Sequence, residues 1–119
     1  MIEELIQRVF VTRNATHLAH WRTKSYSQHK ALGSFYDDII DKIDAVVEAY
    51  MGADGDVIDN ITIPETKVPT NILKHLEEEA NWIEENHEEI CGGVSAIGNL
   101  LDNLTESYLK TMYKLKQLS

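Results

Sequence analysis

Helix-breaking residues are scarce in this chain, and most of them sit together. Of 119 residues, two are proline and six are glycine. Gly52, Gly55, Pro64 and Pro69 mark one long connection, and Gly92 and Gly93 mark a short one. Proline lacks a backbone donor and glycine costs stability inside a helix, so the long stretches between these marks are open to helix. Within them apolar residues recur at intervals of three and four, the helical period.

Four segments follow. The first, about residues 2–23, places Ile2, Leu5, Ile6, Val9, Phe10 and Arg13 on adjoining ridges, with Leu18 and Trp21 extending the stripe. The second, about 28–51, repeats Leu32, Phe35, Tyr36, Ile39, Ile40, Ile43, Val46, Val47 and Tyr50, with Ser25 or Ser27 as its cap and Gly52 as its end. The third, about 70–91, turns Ile72, Leu73, Leu76, Ala80, Ile83 and Ile90 inward, with Thr70 as N-cap and Gly92–Gly93 as the stop. The fourth, about 94–117, carries Ile97, Leu100, Leu101, Leu104, Tyr108, Leu109, Met112 and Leu115. Only Val57–Ile63 hints at strand. Short links make the first and last pairs antiparallel neighbours, and the 52–69 connection is long enough to climb a bundle. The expected fold is all-α, a ferritin-like four-helix bundle of two hairpins and one long crossover, in a single domain over 1–119.

Charge limits the partners. Eleven Lys and Arg against twenty Asp and Glu leave a net charge of −9, which repels phosphate backbones and favours cations. The one positive stretch is Lys110, Lys114 and Lys116, so DNA compaction is a poor expectation. With a lone cysteine, Cys91, neither an internal disulfide nor a Cys-based zinc site is expected, and the thiol reads as structural. MIEELIQRVF starts acidic and becomes amphipathic, unlike an export signal, and no apolar run approaches membrane-spanning length. The N-x-S/T triplets at Asn14, Asn60 and Asn103 then read as chance, and the expected location is the cytoplasm.

The chemistry-bearing residues concentrate between His20 and Glu48. At about 100° per residue, Gly33, Asp44, Asp37 and Glu48 all fall within about 100° of His29 around the second helix. Asp44 and Glu48 are one turn apart and can reach a single ion, and imidazole with carboxylate suits iron, manganese or zinc. The same pattern also describes a solvated acidic edge. His17 and His20, three apart with Trp21 beside them, either bind metal or are half-buried polar groups. The third helix is crowded with glutamate. Its Glu84-x-x-His87 has the spacing of a carboxylate-bridged di-iron bundle but lacks a second copy, and it reads as a solvated face. His75-x-x-x-Glu79 lacks the other histidine pairs of a hemerythrin-like centre. Asp54-Gly-Asp56 and Asp59-Asn60 are turn formers without the EF-hand spacing.

The stretch His20-Trp21 through His29, followed by Tyr36, Asp44 and Glu48 at intervals of seven, fifteen and nineteen, resembles the Dps (mini-ferritin) family. Leu101-Asp-Asn-Leu-Thr105 in the last helix is similar too. The short chain also looks similar to small ferritin-like proteins of bacteriophages. The resemblance implies a homo-oligomer, from a two-fold dimer up to a dodecameric shell, with an inter-subunit ferroxidase centre. His20 and His29 would come from one subunit and Asp44 and Glu48 from its mate, with Trp21 beside the iron. It implies oxidation of Fe(II), commonly by hydrogen peroxide, and storage of the ferric product. Two departures stand out. The His20–His29 interval of nine is three shorter than the family's, and Gly33 stands where the family often has an acidic ligand, a role left to Asp37. They motivate the alternative, a non-enzymatic ferritin-like dimer or interaction module in which His20, Trp21 and Tyr36 are interface residues.

Overall fold

A computed structural model describes residues 1–118. It has four α-helices, α1 (Ile2–Arg22), α2 (Tyr26–Asp54), α3 (Ile72–Cys91) and α4 (Ser95–Gln117), and no strand among the described residues. The Val57–Ile63 stretch is therefore corrected to coil. Its Ile58 and Ile61 lean on the core, and Gln7 Nε2 donates to the Thr62 carbonyl at 2.8 Å.

Local chemistry sets the helix ends. Ser25 caps α2, its hydroxyl accepting from Gln28 N at 3.3 Å. The end expected at Gly52 moves outward: α2 continues through Asp54 and stops at Gly55, whose φ of +85° is the left-handed conformation glycine adopts cheaply. Asn71 rather than Thr70 caps α3, accepting from Lys74 N at 3.1 Å. A side-chain carbonyl at that position satisfies one of the donors every helix start leaves open. Gly92 and Gly93 end α3 as expected.

The helices pack as a four-helix bundle in which α1 and α4 each lie against both α2 and α3. The core draws on all four, with Leu5, Val9, Leu32, Phe35, Ile39, Ile43, Leu76, Ile83, Leu101 and Leu104 almost fully buried. Two expected core positions are corrected. Trp21 is 67% exposed and Leu109 52% exposed, because each lies at the edge of its stripe and faces outward.

Polar residues also enter the core. Thr12 and Thr16 are fully buried on α1. Thr16 Oγ1 donates back to the carbonyls of Thr12 and Arg13 at 3.0 and 2.8 Å. Thr12 Oγ1 meets His75 Nε2 at 3.0 Å, and the Tyr108 hydroxyl is buried beside Thr12. Burial, followed by the nearby Glu79 charge, holds the Tyr108 phenol far above its ordinary range, so it stays neutral. Arg8 closes this side of the bundle, bonding Glu79 Oε2 at 2.9 Å and lying over the Trp82 ring at 4.5 Å. His75 and Glu79 are thus both engaged with α1, through Thr12 and Arg8.

Candidate metal centre

The α1–α2 link is three residues, 23–25, so the end of α1 lies on the start of α2. Helix α1 stops at Arg22, leaving its last carbonyls without helical partners. His29 Nδ1 donates to one of them, the His20 carbonyl, at 2.8 Å. The bond is reciprocated, for His20 Nδ1 donates to the His29 carbonyl at 2.6 Å. The two imidazoles stack with centroids 3.6 Å apart and planes inclined by 21°.

This exchange fixes both tautomers. A carbonyl only accepts, so each Nδ1 carries a proton, and each neutral ring keeps its Nε2 lone pair. Neither Nε2 is hydrogen-bonded among the described residues. An imidazole held by Nδ1–H···O=C with Nε2 free is the usual posture of a metal-ligating histidine.

Gly33 belongs to the same arrangement. A Cβ at this position would lie 3.1 Å from His20 Cε1 and 3.3 Å from its Nδ1. A side chain at this position would therefore crowd the His20 ring. The short His20–His29 interval and Gly33 thus meet at one place in the structure.

Aromatic rings extend the pair. His17 stacks on Tyr36 at 4.1 Å and touches Trp21 at 4.2 Å, and His20 meets Tyr36 edge-on. Arg13 lies 5.2 Å over the Tyr36 ring. Desolvation first, then the charges of Arg13 and His20, lower the His17 pKa, against an opposing pull from Asp37.

The other expected ligands do not join within one chain. Asp44 and Glu48 lie fifteen and nineteen residues beyond His29 on the same helix, about 22 and 28 Å away at 1.5 Å per residue, and both are exposed. Asp37 is exposed and lies near His17. The one group of three candidate ligands that converges among the described residues is His87, Glu88 and Cys91, which in the sequence read as a solvated face and a structural thiol. It lies at the other end of the bundle, where Tyr50, Ala53 and Asp54 share a hollow with Cys91, Gly92 and Val94. The signal that could have found it is the His-x-x-x-Cys spacing, one helical turn.

The comparisons with known proteins bear on this chain as a whole. Residues 20–115 match the model of a family of unknown function, DUF5856. The chain belongs to this family. The DUF5856 match spans both the His20–His29 pair and the His87–Cys91 turn. The chain is also similar to an uncharacterized 14.6 kDa protein from the mobD–ri intergenic region of Enterobacteria phage T4, with 28% identity over 99 residues. That alignment covers 83% of this chain and 75% of the phage protein. No solved structure gives a significant match. Within this DUF5856 chain, no helix among the described residues is long and apolar enough to cross a membrane.

Proposed function

We propose that this protein is a ferritin-like iron-binding oxidoreductase that takes Fe(II) as substrate at a site shared between two copies of the chain. The observation that carries the reading is the His20–His29 pair, with both Nδ1 protons given to carbonyls and both Nε2 atoms free. One chain supplies these nitrogens, and a two-fold mate supplies Asp44 and Glu48, which are exposed and one turn apart. Trp21, exposed and in contact with His17 beside the pair, would intercept radical by-products. Each Fe(II) gives up one electron, and hydrogen peroxide takes two to become water or hydroxide. The ferric product is stored or detoxified, and the net charge of −9 draws the cation in.

The finer topology belongs to the same proposal. Two antiparallel hairpins joined by a long crossover is the ferritin-like order. It is supported by the contacts of Arg8 with Glu79 and Thr12 with His75, in which numbering rises along α1 as it falls along α3. Phe35 against Tyr108 and the hollow shared by Tyr50 and Ile97 support the same opposition of α2 and α4. The oligomer is at least a two-fold dimer, with a dodecamer as its largest form, in the cytoplasm.

A second reading is favoured by one observation. The position four residues after His29 is glycine and is covered by the His20 ring, while Trp21 and Tyr26 are 67% and 75% exposed. That face suits an interaction module without oxidase activity. Fe(II) oxidation followed by ferric absorbance separates the two. The oxidase reading expects a signal lost in His29→Ala and in Asp44→Ala, and a rate no higher than the buffer blank overturns it.

A further inference from the structure

We propose that His87, Glu88 and Cys91, at the end of α3, bind a zinc-class divalent cation. The site is separate from the His20–His29 pair and does not rest on the function proposed above.

Helix geometry brings the three together. His87 and Cys91 are four apart, and Glu88 and Cys91 three apart, so both reach the cysteine across one turn. One ligand atom from each lies within 4.8 Å of the others, and His87 Nδ1 is 3.7 Å from Glu88 Oε1. Ligand atoms bound tetrahedrally at zinc distances sit about 3.3–3.6 Å apart. The remaining closure is small, and the Glu88 side chain, 93% exposed, is free to make it.

The histidine is already prepared by the neighbouring helix. Its Nε2 lies 3.1 Å from the Gly98 carbonyl and 3.0 Å from Asp102 Oδ1. Both groups accept, so Nε2 carries the proton, and the neutral ring keeps its Nδ1 lone pair on the side of Glu88. A carboxylate behind the non-ligating nitrogen is the usual support of a metal-bound histidine. Gly98 permits the approach, since a Cβ there would lie 3.2 Å from His87 Cε1.

The surroundings fit a cation. Cys91 is buried, yet it borders a hollow of about 310 Å³ with His87, Glu88, Ser95 and Asp102. The metal-free thiol donates to the Glu88 carbonyl at 3.6 Å. On binding, that proton leaves to solvent and the thiolate becomes the ligand. Glu88 and Cys91 lie in the last turn of α3 and His87 just before it, where unpaired carbonyls favour positive charge. Thiolate with imidazole and carboxylate selects zinc-class ions over magnesium or calcium, and three protein ligands leave a fourth position for water.

Cobalt(II) titrated into the full chain tests this. Expected is a near-ultraviolet sulfur-to-cobalt charge-transfer band that saturates at one cobalt per chain and is bleached by added Zn2+. Cys91→Ser should remove the band, His87→Ala should weaken binding at least tenfold, and Asp102→Asn should weaken it about 10–100-fold. Glu88→Gln, at an exposed side chain, should weaken it with the helical circular dichroism unchanged, so a fold defect in the Cys91 variant does not leave the matter open. His20→Ala and His29→Ala should leave the band intact. Absence of a charge-transfer band at equimolar metal, or a band insensitive to His87→Ala and Asp102→Asn, overturns the proposal.

Discussion

His20 and His29 each donate an Nδ1 proton to the other's backbone carbonyl while their rings stack at 3.6 Å. A side chain thereby caps an open helix end, and the same bond decides which nitrogen is free for chemistry. Capping and the choice of tautomer are one interaction. His29→Ala therefore removes both a candidate ligand and a partner of the α1 C-terminus, and a cost of about 1 kcal/mol to stability is expected. Chemical denaturation measures it.

Gly33→Ala tests the space the His20 ring occupies. Alanine inside a helix normally gains about 0.8–1.0 kcal/mol over glycine. At Gly33 the new Cβ meets His20 at 3.1 Å, so the gain should be reduced or reversed and the His20 ring resonances should move. Gly52→Ala is the control, with nothing within 4 Å of its Cβ. It should show the ordinary gain, diminished by its place near the helix end. Equal gains at both positions would contradict the close approach.

Mixing variants tests the shared site. If the centre joins His20 and His29 of one copy to Asp44 and Glu48 of its mate, neither His29→Ala nor Asp44→Ala alone oxidises Fe(II). A co-refolded mixture should regain activity, because each mixed dimer has one centre intact and one doubly broken. No regain in a mixture shown to contain mixed dimers would exclude the two-fold arrangement.

The buried polar cluster predicts a core cost. Tyr108→Phe removes the hydroxyl that meets Thr12 and should destabilise the chain by about 1–3 kcal/mol, through the polar partner left behind. Leu104→Ala, at a fully buried side chain, should cost about 2–5 kcal/mol through lost burial and a cavity. Urea unfolding ranks the two.

Two histidines should respond to pH in opposite directions. Burial lowers the His87 pKa, but the Gly98 carbonyl, Asp102 and Glu88 outweigh it, and the net shift is upward from 6.5. Its contribution to metal-free stability is complete below 6.5 and is lost as pH rises through the folded value. The His17 pKa is lowered from 6.5, so the unfolded chain takes up that proton first and stability falls as the pH drops below 6.5. Proton NMR titration of the metal-free protein should place His87 above His17, and Asp102→Asn should bring His87 down.

The sequence alone determined the number of helices, most of their boundaries and the inward stripes. Breakers, caps and the 3.6-residue period are local properties, legible wherever local preference and burial agree. Ser25 and the Gly92–Gly93 stop are examples. Reading fails where two local choices compete: Gly52 lies inside α2 because Gly55 takes the left-handed turn, and Asn71 displaces Thr70 as cap. Periodicity also misassigns Trp21 and Leu109 at stripe edges and misses buried Thr12, Thr16 and Ser107, whose hydroxyls are satisfied within their own helix or by a facing side chain.

Tertiary structure decided the sites. His20 and His29 stood out as candidates by spacing, but their stacking, their tautomers and the reason for Gly33 depend on how α1 lies on α2. Asp44 and Glu48 share the His29 edge in angle, yet the rise of the helix carries them more than 20 Å away along it. The convergence of His87, Glu88 and Cys91 depends on side-chain direction and on Asp102 and Gly98 arriving from α4. Spacing along a helix determines which residues face the same way, whereas contact between helices determines which nitrogen keeps its lone pair.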